Sequence, residues 1–300
     1  MSENPNENPS GEGSRLWSGL EARLRARLAG LVENVEFHES VTTTQRRAHQ
    51  LAHEGLLRAV VAAGEQTEGR GRAARRWESP KGCGLYFSVL FRPALPPSSA
   101  YLTNVAAALA VAKAVKSLLE VELSLKWPND LLLSSGLKVC GILSESAIQG
   151  GTLDYCVTGV GLNLREPSEP LPPEVARRAG WLCSETESAK LDGAKLIACV
   201  VENFFGGVAL IEREGAGPLL GEYREKCVTV GKTVTVEAGS ETFSGLCVGI
   251  GGDGELLLET DAGQRCFHAA DVLHTKGGAS FTHTQAESVG PVPWYNTNGF

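Results

Sequence analysis

Hydrophobic positions along the chain follow three successive patterns. Leu16, Leu20, Leu24 and Leu28 recur every fourth residue amid arginines, which predicts an amphipathic helix within residues 15–34. Over residues 35–224, β-rich runs alternate with long helical stripes. Residues 35–37 read as a short strand, 45–55 as a helix behind Thr42, Thr43 and Thr44, and 57–63 and 85–91 as strands. One apolar stripe through Val105, Ala108, Leu109, Ala112, Val115 and Leu119 makes 101–120 a helix. Runs at 121–126, 131–133, 137–146 and 153–164 are separated by short turns, so they predict a mixed, mainly antiparallel sheet backed by helices. Proline-rich residues 165–188 predict a loop with a short helix, and 190–214 resumes helical period. From Val228 short strands alternate with turns, the pattern of a separate β-barrel within 225–275. The fold class is therefore α+β with a small C-terminal β-barrel. Residues 1–14 and 276–300 are polar and aperiodic and are expected to be disordered.

Composition narrows the partners. A net charge of -7 argues against a polyanion-binding surface, so no DNA partner is expected. The segment before residue 35 is also too short for a helix-turn-helix domain. Eight scattered cysteines form no C-x-x-C pair and read as small buried hydrophobes in a reducing compartment. The acidic N-terminus is unlike a signal peptide, and no apolar run is read as spanning length; the expected location is cytoplasmic, with no membrane partner.

Chemistry concentrates in GRGRAARRW (69–77), which places Arg70, Arg72, Arg75 and Arg76 between Gly69 and Trp77. Glycine permits close backbone approach and arginine offers a planar donor fork, so the stretch is suited to carboxylate or phosphate oxygens; a basic surface turn is the plainer reading. KWPND (126–130) ends a strand at Lys126 and presents Asn129 and Asp130 at an edge, with Lys138 returning across a hairpin to the same region. Alternate glycines in GVGLN (159–163) leave room for a ligand or a neighbouring loop. There is no Walker lysine motif, no G-x-S-x-G and no H-E-x-x-H, which removes the usual nucleotide-hydrolase, esterase and zinc-protease explanations.

In this order and spacing, GRGRAARRW, KWPND, KVCGILSE and GVGLNL resemble the biotin–protein ligase family, in a form lacking the N-terminal DNA-binding domain. The resemblance spans roughly residues 35–273. It implies a catalytic domain over 35–224, similar in fold to class II aminoacyl-tRNA synthetases, and a small barrel over 225–275. It also implies a two-step activity: biotin and Mg-ATP give biotinyl-5′-adenylate and pyrophosphate, and a lysine of the biotin carboxyl carrier protein of acetyl-CoA carboxylase, or of a related carboxylase, takes the biotin. Biotin would then lie against Thr43, Thr44, Gln66, Gly69, Arg70, Lys138 and Gly141. Arg72, Arg75, Trp77, Asn129, Asp130 and Asn163 would serve ATP and the adenylate, with Trp77 on the adenine and magnesium arriving with ATP. Lys138, Arg70 and Arg72 are the implied catalytic groups.

The family loop reads G-R-G-R-x-G-R-x-W. Here Ala73 and Ala74 fill the two central places, removing a common arginine and a glycine, while Gln45 stands where the family has asparagine. Two rivals remain: a lipoate or octanoate ligase of the same fold, and a non-catalytic biotin-binding module. Edge strands leave a homodimer or carrier docking open.

Overall fold

The computed structural model describes residues 14–17, 19–184, 187, 191–268 and 270–274. The ends expected to be disordered lie outside the described residues, except Ser14, which opens the first helix. Among the described residues twelve strands form two sheets. In the larger, β1 (Asn34–His38), β2 (Ala59–Ala63), β3 (Gly84–Phe91), β4 (Ser124–Lys126), β5 (Asp130–Leu132), β6 (Lys138–Gln149) and β7 (Thr152–Asn163) run in the order β1-β2-β3-β7-β6-β5-β4. Only β1 and β2 pair in parallel, so the mixed, mainly antiparallel expectation holds.

Strand β3 is buried along all eight residues because both faces of the sheet are covered. Val60, Ala62, Leu85, Phe87, Val89 and Phe91 join the main core with helices α4 (Leu102–Leu119) and α6 (Gly193–Glu214). Ala59, Val61 and Leu90 point the other way, onto Ala48, Leu51 and Ala52 of α3 (Thr44–His53). This two-residue alternation explains continuous apolar runs that show no polar face. Helix α5 (Pro173–Ala176) is the short helix expected in the proline-rich loop.

The N-terminal helix is two pieces, α1 (Ser14–Trp17) and α2 (Leu20–Arg27), because Gly19 turns left-handed at φ 61 between them. Its leucines are buried as the spacing predicts. Trp17 stacks on Phe37 at 5.4 Å, and Asp192, which caps α6 through Lys195 N–H, also pairs with Arg23 at 3.1 Å and Arg27 at 3.3 Å. Edge strand β1 is not left bare: Glu21 accepts from Phe37 N–H, and Arg25 donates to Val35 O.

Helix α7 (Gly217–Lys226) has no counterpart in the expected pattern, since Gly217 and Gly221 interrupt it, yet Leu219, Leu220 and Tyr223 are buried. Beyond it β8 (Thr233–Ala238), β9 (Glu241–Ile250), β10 (Leu256–Thr260), β11 (Gly263–Phe267) and β12 (Asp271–His274) make an antiparallel sheet in the order β11-β10-β9-β8-β12. Trp127 joins the two units. Fully buried, it donates its indole N–H to Gly254 O at 3.0 Å and its backbone N–H to Thr229 Oγ1 at 3.1 Å. Tyr101 O–H donates to Pro128 O beside it.

Two expectations are corrected. Residues Pro97–Leu119 and Gly193–Glu214 are long and apolar enough to cross a membrane by length and composition; their apolar faces are instead packed into the main core. All eight cysteines remain thiols, but Cys183, Cys199 and Cys266 are only half-buried. Burial pushes the Cys156 thiol up to about 12, so it stays protonated and inert.

Replacing Trp127 by alanine empties a filled core site and removes the indole hydrogen bond to Gly254 O, while the backbone bond to Thr229 is kept, and is expected to cost about 3–5 kcal/mol. Urea unfolding of the variant would show it; a midpoint unchanged from wild type would refute a seam held by this side chain. Acid stability has a separate source. Glu36 on β1 accepts two 2.8 Å bonds from Arg47 on α3, which, with His38 alongside, lower its pKa from 4.5 to about 2 against the effect of burial. A depressed carboxyl stabilises the fold above its unfolded pKa, and that stability is lost as pH falls through the folded value. Glu36→Gln is therefore expected to flatten the fall in melting temperature between about pH 4.5 and 2, and an unchanged slope would exclude Glu36 as its origin.

Candidate active site

A cavity of about 720 Å³ opens between the sheet, the connection from β2 to β3, and the C-terminal unit. The connection is a strap stitched down by glutamine and glycine. Gln66 bridges to Val41 and Ser79; its Oε1 accepts from Thr44 N–H at 2.9 Å and its Nε2 donates to Ser79 Oγ at 3.0 Å. Trp77 N–H donates to Gly69 O, Arg70 bridges to Arg76, and Gly71 N–H donates to Arg75 O at 2.7 Å, so the strap is a tight hairpin. A Cβ on Gly69 would lie 2.3 Å from Trp77 O. Glycine is needed there for the hairpin itself.

Ala73 and Ala74 form the tip, both left-handed, with φ of 51° and 57°. A residue with a Cβ pays about 1–2 kcal/mol for this conformation. The family pattern's glycine at position 74 thus has a backbone reason, and alanine leaves the tip strained.

The tryptophan closing the hairpin lies on a floor of glycine. Gly141 and Gly161 face each other across β6 and β7; added Cβ atoms would come within 3.0 Å and 2.3 Å of the Trp77 ring. Two residues along, Gly159 leaves room for Gln45, whose Nε2 donates to Leu143 O at 3.1 Å. Lys138 Nζ sits 5.1 Å from the Trp77 ring centre and pairs with Asp130 at 2.5 Å. The Trp77 indole N–H is buried with no acceptor among the described residues.

Thr44, Gln66, Arg70, Arg72, Arg75, Trp77, Asn129, Asp130, Lys138, Gly141 and Asn163 line the cavity. Thr43 and Gly69 do not. Thr43 is buried and spends its hydroxyl as the α3 cap, accepting from Arg46 N–H at 3.0 Å. Asn129 gives its amide to Ile142 O at 2.7 Å, and Asn163 gives its own to Gly180 O at 3.2 Å, holding the segment that lies against Lys138. Arg72 reaches the C-terminal unit through Ala270 O at 3.1 Å. Gln45 and Lys126, which the sequence brings to this region without a role, also line the cavity, as do Arg178 and Lys232, which it does not. Gln45 had a signal in its departure from asparagine; Arg178 and Lys232 had none, because they are brought in by a loop and a second domain.

Eight basic and two acidic side chains line this space. Such an excess favours a polyanionic ligand. Among the described residues no cluster of three or more His, Cys, Asp or Glu side chains could hold a metal, so magnesium fits here only as a companion of phosphate, with Asp130 as a nearby carboxylate. Glu145 adds a half-buried acid behind the strap. Burial raises its pKa, but His49 hydrogen bonding at 3.1 Å, the His49 charge and Arg70 lower it further, and the net shift is downward.

The glycine floor can be tested without reference to activity. Gly161→Ala is expected to lift Trp77 off the sheet and change its near-ultraviolet circular dichroism and fluorescence, with Trp77→Phe identifying the signal. Wild-type spectra and melting temperature in Gly161→Ala would rule out the packing described.

Residues 37–163 match the biotin/lipoate A/B protein ligase family, and residues 229–275 match the biotin protein ligase C terminal domain. The chain is 31% identical over 223 residues to the biotin–[acetyl-CoA-carboxylase] ligase of Mycobacterium tuberculosis, covering 72% of this chain and 79% of that one. It is 29% identical over 259 residues to the bifunctional ligase/repressor BirA of Bacillus subtilis, covering 85% and 78%. A biotin protein ligase from Aquifex aeolicus, solved in complex with biotin and ATP, aligns with a TM-score of 0.65 at 25% identity, over 81% of this chain and all of that one. The strap, the glycine floor and the paired lysine lie in the first matched region and the unit docked on Trp127 in the second: the chain belongs to the biotin protein ligase family.

Proposed function

We propose that the protein is a biotin–protein ligase that makes biotinyl-5′-adenylate and passes the biotin to a lysine of a biotin carboxyl carrier protein, that of acetyl-CoA carboxylase or a related carboxylase. The observation carrying this reading is the convergence of Arg70, Arg72, Arg75 and Lys138 on one cavity beside Trp77. In the first step a biotin carboxylate oxygen attacks the α-phosphorus of ATP, and the bond to the departing pyrophosphate breaks. Two anions must meet, and negative charge grows on the leaving group; fixed cations offset both. In the second step the carrier lysine amine attacks the acyl carbon, and the bond to AMP breaks.

Within the cavity, Thr44, Gln66 and Gln45 form the polar end for biotin, Arg70 and Lys138 stand at its carboxylate, and Arg72 and Arg75 serve the phosphates. Lys138, held between Asp130 and Trp77, is placed as a compact cation rather than a base. Trp77 offers a ring for the adenine. Asp130 would share magnesium brought by the nucleotide, whose chemistry is to neutralise phosphate charge. The match of residues 229–275 to a biotin ligase C-terminal domain favours biotin over lipoate. We assign 35–224 to the catalytic unit and 225–275 to the small β unit, and place the activity in the cytoplasm, where the thiols stay reduced.

Exchange of labelled pyrophosphate into ATP, driven by biotin, lipoate or octanoate, tests the proposal. Biotin alone should support exchange, and Lys138→Ala should lower the rate by roughly 100-fold or more. Exchange with lipoate alone would move the protein to a lipoate ligase. No exchange with any acid would leave a binding module.

A further inference from the structure

Behind the cavity, a row of polar side chains runs from α3 to the strap. His53 Nε2 lies 3.5 Å from Tyr155 OH, Tyr155 OH 3.1 Å from His49 Nδ1, and His49 Nε2 3.1 Å from Glu145 Oε2; Glu145 Oε1 lies 3.7 Å from Arg70 Nη1. The spacing explains the helix side, since Gln45, His49 and His53 fall at i, i+4 and i+8 and face one strip of sheet. Glu145 on β6 and Tyr155 on β7 are diagonal neighbours there, because Glu145 pairs with Val157 and Ala147 with Tyr155. The reaction as proposed uses none of the four residues before Arg70. A half-buried carboxylate is disfavoured unless paired, and Glu145 is paired on both oxygens.

We propose that Glu145 is a positioning residue that holds Arg70 over the cavity, and that the protonation of His49 sets how firmly it does so. This rests on reading the cavity as the biotin and ATP site. With His49 neutral, its Nε2–H donates to Glu145 while Nδ1 accepts from Tyr155 O–H, and the carboxylate keeps its charge for Arg70. With His49 protonated, both ring nitrogens donate, so Tyr155 O–H must turn toward His53 Nε2. The imidazolium then competes with the guanidinium for one carboxylate, and Arg70 is released. The charged and titratable groups facing this row are Glu145 from β6, Tyr155 from β7, His53 along α3 and Arg70 from the strap, with Arg92 over the Tyr155 ring and Asp154 paired to Arg92. Histidine is the side-chain type that can change charge near neutral pH.

The test is the biotin KM and kcat of pyrophosphate exchange at saturating ATP, together with calorimetric biotin binding, from about pH 5.5 to 8.5. The wild-type KM is expected to rise several-fold toward acid. His49→Gln, whose amide can donate to Glu145 and accept from Tyr155, should hold the low KM across the range, whereas His53→Gln should keep the wild-type profile. Glu145→Gln should raise KM about tenfold at the alkaline end, with kcat within about threefold, the pattern of lost ground-state positioning. A folded Glu145→Gln with wild-type KM and affinity, or a His49→Gln profile that follows the wild type, would overturn the proposal. Absence of biotin exchange and binding in the wild type would instead defeat the functional reading on which it rests.

Discussion

The site depends on two missing side chains. Gly141 and Gly161 are directly paired on adjoining strands, and together they clear a patch of sheet where a tryptophan ring can lie nearly against the backbone. Because Trp77 also closes the strap hairpin through Gly69, seating the ring fixes the far end of the arginine run. Any side chain at position 161 would push the ring upward and carry Arg75 and Arg76 with it. Packing thus does what a loop cannot do alone: it holds several like charges close together in a defined register.

Those charges repel, and the protein offsets this with acids placed around the strap. Asp130 meets Lys138, Glu145 meets Arg70 and Glu78 meets Arg76. Each leaves part of the cation facing the cavity, so the excess positive charge remains available to an anion. Arg72 is placed differently, through a backbone carbonyl of the C-terminal unit. The seam at Trp127 therefore matters to the site: it fixes the unit that supplies Lys232 and Val272 to the cavity and Ala270 O to Arg72.

Much of this was legible from spacing because the physics is local. The stripe of α4, the four leucines of α1 and α2, and the alternation that put β6 and β7 in a hairpin all follow from residues a few positions apart. Glycine placement in GVGLN signalled close approach, and a neighbouring strap supplied it. What escaped the sequence is non-local. Pairing of β3 with β7 joins residues more than sixty positions apart, and nothing in KWPND marks its tryptophan as the fastening between two units. The capping role of Thr43 was legible as a hydroxyl ahead of a helix, whereas its biotin role came from the resemblance; in the structure its hydroxyl accepts from Arg46 N–H.

The left-handed alanines at the tip complete the argument. Strain at Ala73 and Ala74 persists because the hairpin is fixed on both sides, by Gly71 N–H on Arg75 O and by Arg70 against Arg76. Glycine at position 74 would relax the folded strap but also enlarge the freedom of the unfolded chain, so the two effects oppose each other. Alanine narrows the unfolded ensemble at the expense of a strained turn. A strap already held by Trp77 below and Glu145 behind can tolerate that exchange, whereas one held by its tip alone could not.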